Sequence, residues 1–258
     1  MTPPRRHGLS NGGGFVYVYH VKIANQTIDC PDDWRFELTA ATQRLLGDTI
    51  ALGNDDWQTL TPLPGWSRAH VATHLAHHGL ALAGMATSIA QNHEPVTWRT
   101  MQTDADLNAG ACRRALELQE ALDQSSAALM DAFDAMDDTA WAVPIITSQG
   151  SLPASVLIVD RLNQVLIHHV DLNLGFDLTD ISPDLTRMLV QWNLFRTTPR
   201  YAQIELTIVA DEGFSASVGE GKAVTVRGNE TNILGWLTGR KDSSAVLGAE
   251  ELDLAGPL

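Results

Sequence analysis

Pro64-Gly65-Trp66-Ser67-Arg68-Ala69-His70-Val71-Ala72-Thr73-His74-Leu75-Ala76-His77-His78 is the stretch on which the reading of this chain turns. Pro64-Gly65 makes a turn, Ser67 is placed to cap a helix, and the apolar residues after it recur at helical steps. The helix should run from about Arg68 to Ile89. His70, His74 and His78 stand four apart, so each imidazole is rotated by only about 40 degrees from the one before. A second histidine-bearing helix reads Arg161-Leu162-Asn163-Gln164-Val165-Leu166-Ile167-His168-His169-Val170-Asp171-Leu172. Gln164 and His168 in it are again four apart. Two helices that turn such side chains toward each other can hold a metal ion without any cysteine. Three protein ligands plus an open position is the arrangement of a catalytic zinc site, and bundle interiors accommodate it.

Upstream, Trp34, Leu38, Ala41, Leu45, Leu46 and Ile50 recur at three- and four-residue steps from Asp33, which marks an amphipathic helix, and Gly53-Asn54-Asp55 stops it. Residues 92–104 are polar, contain Pro95 and read as a loop. A third long helix is expected over roughly Ala105 to Met136. Its apolar stripe is Leu116, Leu118, Leu122, Ala128, Leu129, Ala132 and Phe133, and Asp137-Asp138 ends it. A looser stretch with Pro144, Gly150 and Pro153 leads to the fourth helix. That helix starts near Pro153, where proline suits the first turn, and runs to about Leu174, with Gly175 closing it. Four helices with longer connections read as a four-helix bundle.

The pattern changes after Asp180. Leu185 to Trp192 is one more helix, and then strands follow: Ile204 to Val209 alternates with period two, Asp211-Glu212-Gly213 turns, and Phe214 to Val218 alternates again. Gly219-Glu220-Gly221 precedes a third strand over Ala223 to Arg227. Asn229 can cap a short helix through Leu237, ended by Gly239. The expected fold class is α+β, with an extension over 1–33, a helical bundle with the candidate metal site over 34–178, and a small α/β domain over 179–258.

A hydrophobic fraction of 44% is ample for a core, and a net charge of −14 repels phosphate backbones and anionic membranes, so nucleic acid and membrane surfaces are poor partners. Against such a field, an anionic substrate needs a local positive charge. The two cysteines, Cys30 and Cys112, allow one disulfide but form no Cys-based zinc motif. Cys112 falls in a helical pattern and reads as a small buried or half-buried residue. No apolar run is long enough to span a membrane. Arg5-Arg6 invites a twin-arginine reading, but Lys22 and His20 interrupt the apolar stretch after it, and a cytoplasmic protein is expected.

Each candidate residue also has a plain structural role open to it. A lone helical histidine is commonly hydrogen-bonded or exposed. His77 and His78, next to Gly79, read as facing water or a neighbouring helix. His169 is rotated by about 100 degrees from His168 and cannot easily share its metal. Arg161 can face the bundle interior or pair with Asp160 at the surface. Trp66 reads as packing the start of its helix on the core. Arg240, beside Gly239, suits a helix C-terminus.

The two histidine stretches resemble the mycothiol-dependent maleylpyruvate isomerase family, a branch of the DinB-like helical bundles. The family's bundle carries Gly-Trp-Thr/Ser-Arg-x-His-x-x-x-His-x-Ala, and this chain has Gly65-Trp66-Ser67-Arg68-Ala69-His70-Val71-Ala72-Thr73-His74-Leu75-Ala76. Pro153-Ala154-Ser155, His168-His169-Val170-Asp171-Leu172 and Leu237-Thr238-Gly239-Arg240 are similar too, so the resemblance spans about residues 34–258. It implies a divalent metal, normally zinc, held by His74 and by a Glu/His pair four apart on the fourth helix. His168 is the histidine of that pair. Gln164 stands where the family has glutamate.

A glutamine supplies a neutral carbonyl in place of a full charge, so it is the weaker ligand and leaves a bound ion more Lewis acidic. Asp160 and Asp171, on the same helix, are candidates to compensate. The resemblance further implies that Arg240 faces the metal as an anchor for a carboxylate, which its planar fork suits. It implies mycothiol as the thiol, an anionic small molecule as substrate, and cis–trans isomerisation of a small unsaturated keto acid. A thiol S-transferase using another electrophile, or a non-catalytic binding protein with a degenerate metal site, is the alternative.

Overall fold

The sixteen residues of one helix, α6 (Val156–Asp171), organise the molecule, because only Val170 among them is not buried. A helix buried all round must be packed on every side. In this computed structural model α6 lies against α1 (Asp33–Thr49), α3 (Arg68–Asn92) and α7 (Pro183–Thr197). The described residues are 19–23, 26–30, 33–98, 102–147, 150–197, 203–250 and 252. Seven of the buried α6 residues are polar: Asp160, Arg161, Asn163, Gln164, His168, His169 and Asp171. Buried polar groups are unfavourable unless paired, so their partners define the interior of this protein.

The remaining helices close the bundle. α3 packs along α5 (Ala115–Asp134) and touches α4 (Asp104–Ala111); α2 (Asn54–Trp57) is one turn that buries Trp57. A Cβ built on Gly110 would lie 2.2 Å from Thr73 Cγ2, so only glycine lets α4 approach α3 this closely. Leu38, Leu75, Leu82, Ile89, Leu118, Leu122, Leu129 and Phe133 fill the space between α1, α3 and α5. The expected single third helix is broken into α4 and α5 at Cys112–Arg114, with the Arg114 backbone N–H bonded to Glu117 as α5 starts. Leu116 and Ile50, counted in the apolar stripes, are exposed, and so is Cys112, whose thiol bonds the Asn108 carbonyl.

Strands appear where loops and an extension were expected. β1 (Tyr19–Ile23) and β2 (Gln26–Cys30) form an antiparallel hairpin within the segment read as an extension; the arginine pair and the glycine triplet fall outside the described residues. β3 (Val96–Thr97) pairs in parallel with β4 (Pro144–Thr147), which pairs antiparallel with β5 (Gly150–Pro153). Pro153 therefore ends a strand, and α6 begins three residues later. The α/β part follows its expected order: α7, then β6 (Ile204–Ala210), β7 (Ser215–Val218), β8 (Lys222–Gly228) and α8 (Glu230–Leu237). β6 is central, antiparallel to β7 and parallel to β8. Asn229 caps α8 by accepting from the Asn232 N–H at 2.8 Å. Gly239 then turns with φ +73°, and the Arg240 N–H returns to the Gly235 carbonyl at 2.7 Å, which aims the Arg240 side chain at α6. Among the described residues no helix is long and apolar enough to cross a membrane.

Candidate functional site

The four-residue steps of α3 separate the histidines by function. His70 closes the helix start: its Nδ1 lies 3.1 Å from the Ser67 N–H and 2.8 Å from the Ser67 hydroxyl, and its Nε2 faces Asn108. His74, one turn on, faces α6. His78, expected to face water or a neighbouring helix, is buried and lies 2.7 Å from Asp160 Oδ2.

His74, Gln164 and His168 come together. The His74 and His168 rings meet edge to face with centroids 4.9 Å apart, and His74 Nε2 is 3.1 Å from Gln164 Oε1. His74 Nδ1 is 3.1 Å from Gln102 Oε1. Burial lowers the His74 pKa, although the hydrogen bonds to Gln164 and Gln102 pull the other way. A neutral imidazole has one N–H. If it is given to Gln102, the lone pair of Nε2 faces the carbonyl oxygen of Gln164. Two acceptors so placed suit a shared cation.

His168 is neutral as well, its pKa pushed down to about 4 by burial against the opposing pull of the Asp171 hydrogen bond. Its Nδ1 donates to Asp171 Oδ2 at 2.7 Å, which leaves the Nε2 lone pair free. An imidazole held by a carboxylate on its far nitrogen is how proteins orient a metal ligand. Trp66 stacks on His168 at 6.2 Å and tilts against His74 at 5.5 Å, so it lies over the imidazole pair and not merely on the core.

Neither aspartate of α6 is free to add a charged ligand beside Gln164. Asp160 accepts from His78 and from the Trp192 indole at 3.1 Å; burial opposes its ionisation, but His78, Arg196 and Trp192 hold its pKa below the usual range. Asp171 is taken by His168 and Arg240. Among the described residues no three His, Cys, Asp or Glu side chains group as metal ligands. The donor set at the site is thus two neutral imidazoles and an amide oxygen. It fits a borderline divalent ion such as zinc, with the amide as its weakest member.

Arg240 reaches the site, but its fork is closed. Nε donates to Asp171 Oδ1 at 3.0 Å, Nη2 to Oδ2 at 2.5 Å, and Nη1 to the Thr238 carbonyl. Arg161 is buried and not paired at the surface: Nη1 donates to the Leu75 carbonyl at 2.7 Å and Nη2 to Ser126. Burial brings its pKa down to about 10, with Asp160 opposing. His169 turns away to Asp48 at 3.0 Å and stacks on Phe176. Arg68 closes the C-terminal end of α6 by donating to the Leu172 and Asn173 carbonyls. Gln102 and Arg196 were not foreseen. Gln102 stands in a polar loop with no periodicity, and Arg196 follows an apolar run, so neither carries a local signal.

A helical bundle with paired imidazoles on two helices, joined through Asp171 and Arg240 to a small α/β unit, defines the class. Residues 38–173, more than half the chain, match the family model described as the mycothiol maleylpyruvate isomerase N-terminal domain. The chain belongs to that family. Its fold is similar to a crystal structure of mycothiol-dependent maleylpyruvate isomerase carrying a histidine-to-alanine substitution, with TM-score 0.72 and 21% identity over 88% of this chain and 95% of that one. A second crystal structure of mycothiol-dependent maleylpyruvate isomerase aligns with TM-score 0.69 and 22% identity, over 81% and 90% of the two chains. Comparison with curated protein sequences returns no match.

Proposed function

We propose that this chain is a metal-dependent, thiol-assisted isomerase of a small unsaturated keto acid, with mycothiol as the thiol and zinc or another divalent ion as the metal. The observation that carries the reading is the meeting of two neutral imidazoles, from α3 and α6, beside the Gln164 carbonyl. When bound, the metal and thiol would supply a thiolate at neutral pH, able to add reversibly to an activated double bond so that the bond can rotate before elimination.

The chain's own residues serve this in stated ways. His74 Nε2, His168 Nε2 and Gln164 Oε1 would hold the ion, and because all three are neutral its charge stays uncompensated for the thiol. Asp171 fixes the ring of His168. Arg240 holds Asp171, so in this reading it positions the site from the α/β unit and does not grip substrate. Trp66 covers the imidazoles and limits water. The division into a bundle over 34–178 and a domain over 179–258 is part of the same proposal, since Arg240 reaches across that boundary.

The test is the purified chain with zinc and mycothiol, followed by the absorbance of maleylpyruvate. Turnover that needs both is expected. Thiol conjugation without isomer release would favour the S-transferase alternative. A chain that neither binds zinc nor is stabilised by it would favour a metal-free binding protein, a reading that the direct His74–Gln164 contact also supports.

A further inference from the structure

Two buried donors without partners lie within hydrogen-bonding or electrostatic reach of His74. Among the described residues, seven buried side-chain polar atoms lack a hydrogen-bond partner, and two of them, Gln102 Nε2 and Arg196 Nη1, belong to residues that act on His74, the first by a hydrogen bond and the second through its charge. The other unpartnered donors are Arg35 Nε on α1, Trp57 Nε1 on α2 and the Ser155 hydroxyl just before α6, and none of the three contacts or acts on His74. Gln102 is placed by its carbonyl, 3.1 Å from His74 Nδ1, so its amide nitrogen stands beside the ring. Arg196 is placed by α7. It lies one turn beyond Trp192, whose indole bonds Asp160, and Trp98 packs on Trp192 at 6.3 Å. Its charge lies within electrostatic reach of both His74 and Asp160.

A buried donor left unmade is unfavourable, and two of them within reach of the same imidazole call for an acceptor. The other two arginines of the interior have none to offer. Arg240 is closed on Asp171 and Thr238, and Arg161 on Leu75 and Ser126. Arg196 makes no hydrogen bond or ion pair among the described residues. In a chain of net charge −14 a half-buried, unpaired guanidinium is the group an anion would find.

We propose that Arg196, with the Gln102 amide, is the anion subsite of this chamber, and that it takes one carboxylate of a small unsaturated diacid. This rests on the reading of the His74–His168 chamber as the substrate site. The planar fork of arginine matches a carboxylate in two-point fashion, and the amide N–H adds a third contact. The reacting double bond would then lie between this anchor and the imidazole pair, under Trp66.

The probe is maleate, titrated calorimetrically into the full chain as purified and again with zinc present. Arg196→Ala and Arg196→Gln are each expected to weaken maleate by about tenfold to a hundredfold, the fold-change that a charge-assisted hydrogen bond of about 1.5–3 kcal/mol converts to. Arg196→Gln keeps the stem and its packing, so a folding defect in the alanine variant leaves the test intact. Arg113→Ala, which removes an exposed charge, controls for net charge and should leave affinity within about twofold. Gln102→Leu should weaken maleate less than either Arg196 variant. Maleate binding that is unchanged in both Arg196 variants, or absent from the wild type at millimolar concentration, overturns the subsite. Zinc binding in that same chain would leave the metal reading standing. Maleate binding that depends on Arg196 in a chain without zinc affinity would keep the subsite and remove the metal reading.

Discussion

Asp171→Asn tests how the two parts of the molecule hold the site together. The Asp171 carboxylate is 2% exposed and accepts three charge-assisted or ring N–H bonds: from His168 at 2.7 Å and from Arg240 at 3.0 and 2.5 Å. Burial alone would raise its pKa, yet the bonds from His168 and Arg240 hold it below the usual carboxylate range. Asparagine keeps the shape but loses the charge, and its NH2 group must face one of these donors. The Arg240 side chain, only 7% exposed, would then be a buried cation without a counter-charge. Removing one partner of such a pair is destabilising by about 3–5 kcal/mol, a large share of the about 5–15 kcal/mol by which native domains are stable.

Urea unfolding of wild type, Asp171→Asn, Arg240→Met and the double variant measures it. A loss of about 3 kcal/mol or more is expected for each single variant. A smaller combined loss than the sum is expected for the double, because then neither charge is left alone. Zinc affinity should also fall by about tenfold to a hundredfold in Asp171→Asn, as the orienting partner of His168 is lost. An Asp171→Asn protein within about 1 kcal/mol of wild type, with additive behaviour in the double variant, would refute the bridge between α6 and the turn after α8.

Other expectations follow from single contacts. Gln164→Glu should tighten zinc by giving the ion a charged oxygen, measured by competition with a chelator; unchanged affinity would mean that residue 164 never touches the ion. Gly110→Ala should destabilise by about 1–3 kcal/mol in the same unfolding assay, because its Cβ would enter Thr73, 2.2 Å away. Asp137 is held at a pKa of about 2 by the Ala140 N–H, Thr139 and His93. A depressed carboxyl contributes stability that is full above its unfolded pKa, near 4, and is lost as pH falls toward about 2. Asp137→Asn should therefore flatten the acid limb of the stability curve over that range, and an unchanged limb would show that the carboxylate is not held.

The helices and strands of the second half were legible because their signals are local. Ser67 and Asn229 sit before periodic runs, and the alternation of Ile204 to Val209 ends on a turn sequence. The break at Cys112–Arg114 was not legible, since no glycine or proline falls inside it and the apolar residues on either side stay roughly in phase. The strands over 96–97, 144–147 and 150–153 are too short to show a period, and their pairing is nonlocal. At the site, the four-residue step drew attention to His74, Gln164 and His168. It could not tell which face of α3 was buried, so His78 was left between water and a neighbouring helix; it faces the neighbouring helix, α6, where it bonds Asp160. Arg240 was found through the resemblance, but what occupies its fork depends on the turn at Gly239 and on Asp171, distant in sequence. Arg196 and Gln102 act only through neighbours that the fold brings to them.

One ion shared by imidazoles of α3 and α6 is what the proposed chemistry requires. Equilibrium dialysis of zinc against the wild type, His74→Ala and His168→Ala tests it most directly. About one zinc per chain in the wild type, and loss of that zinc in either variant, is the predicted result. Zinc retained at full stoichiometry and affinity after either substitution would contradict it.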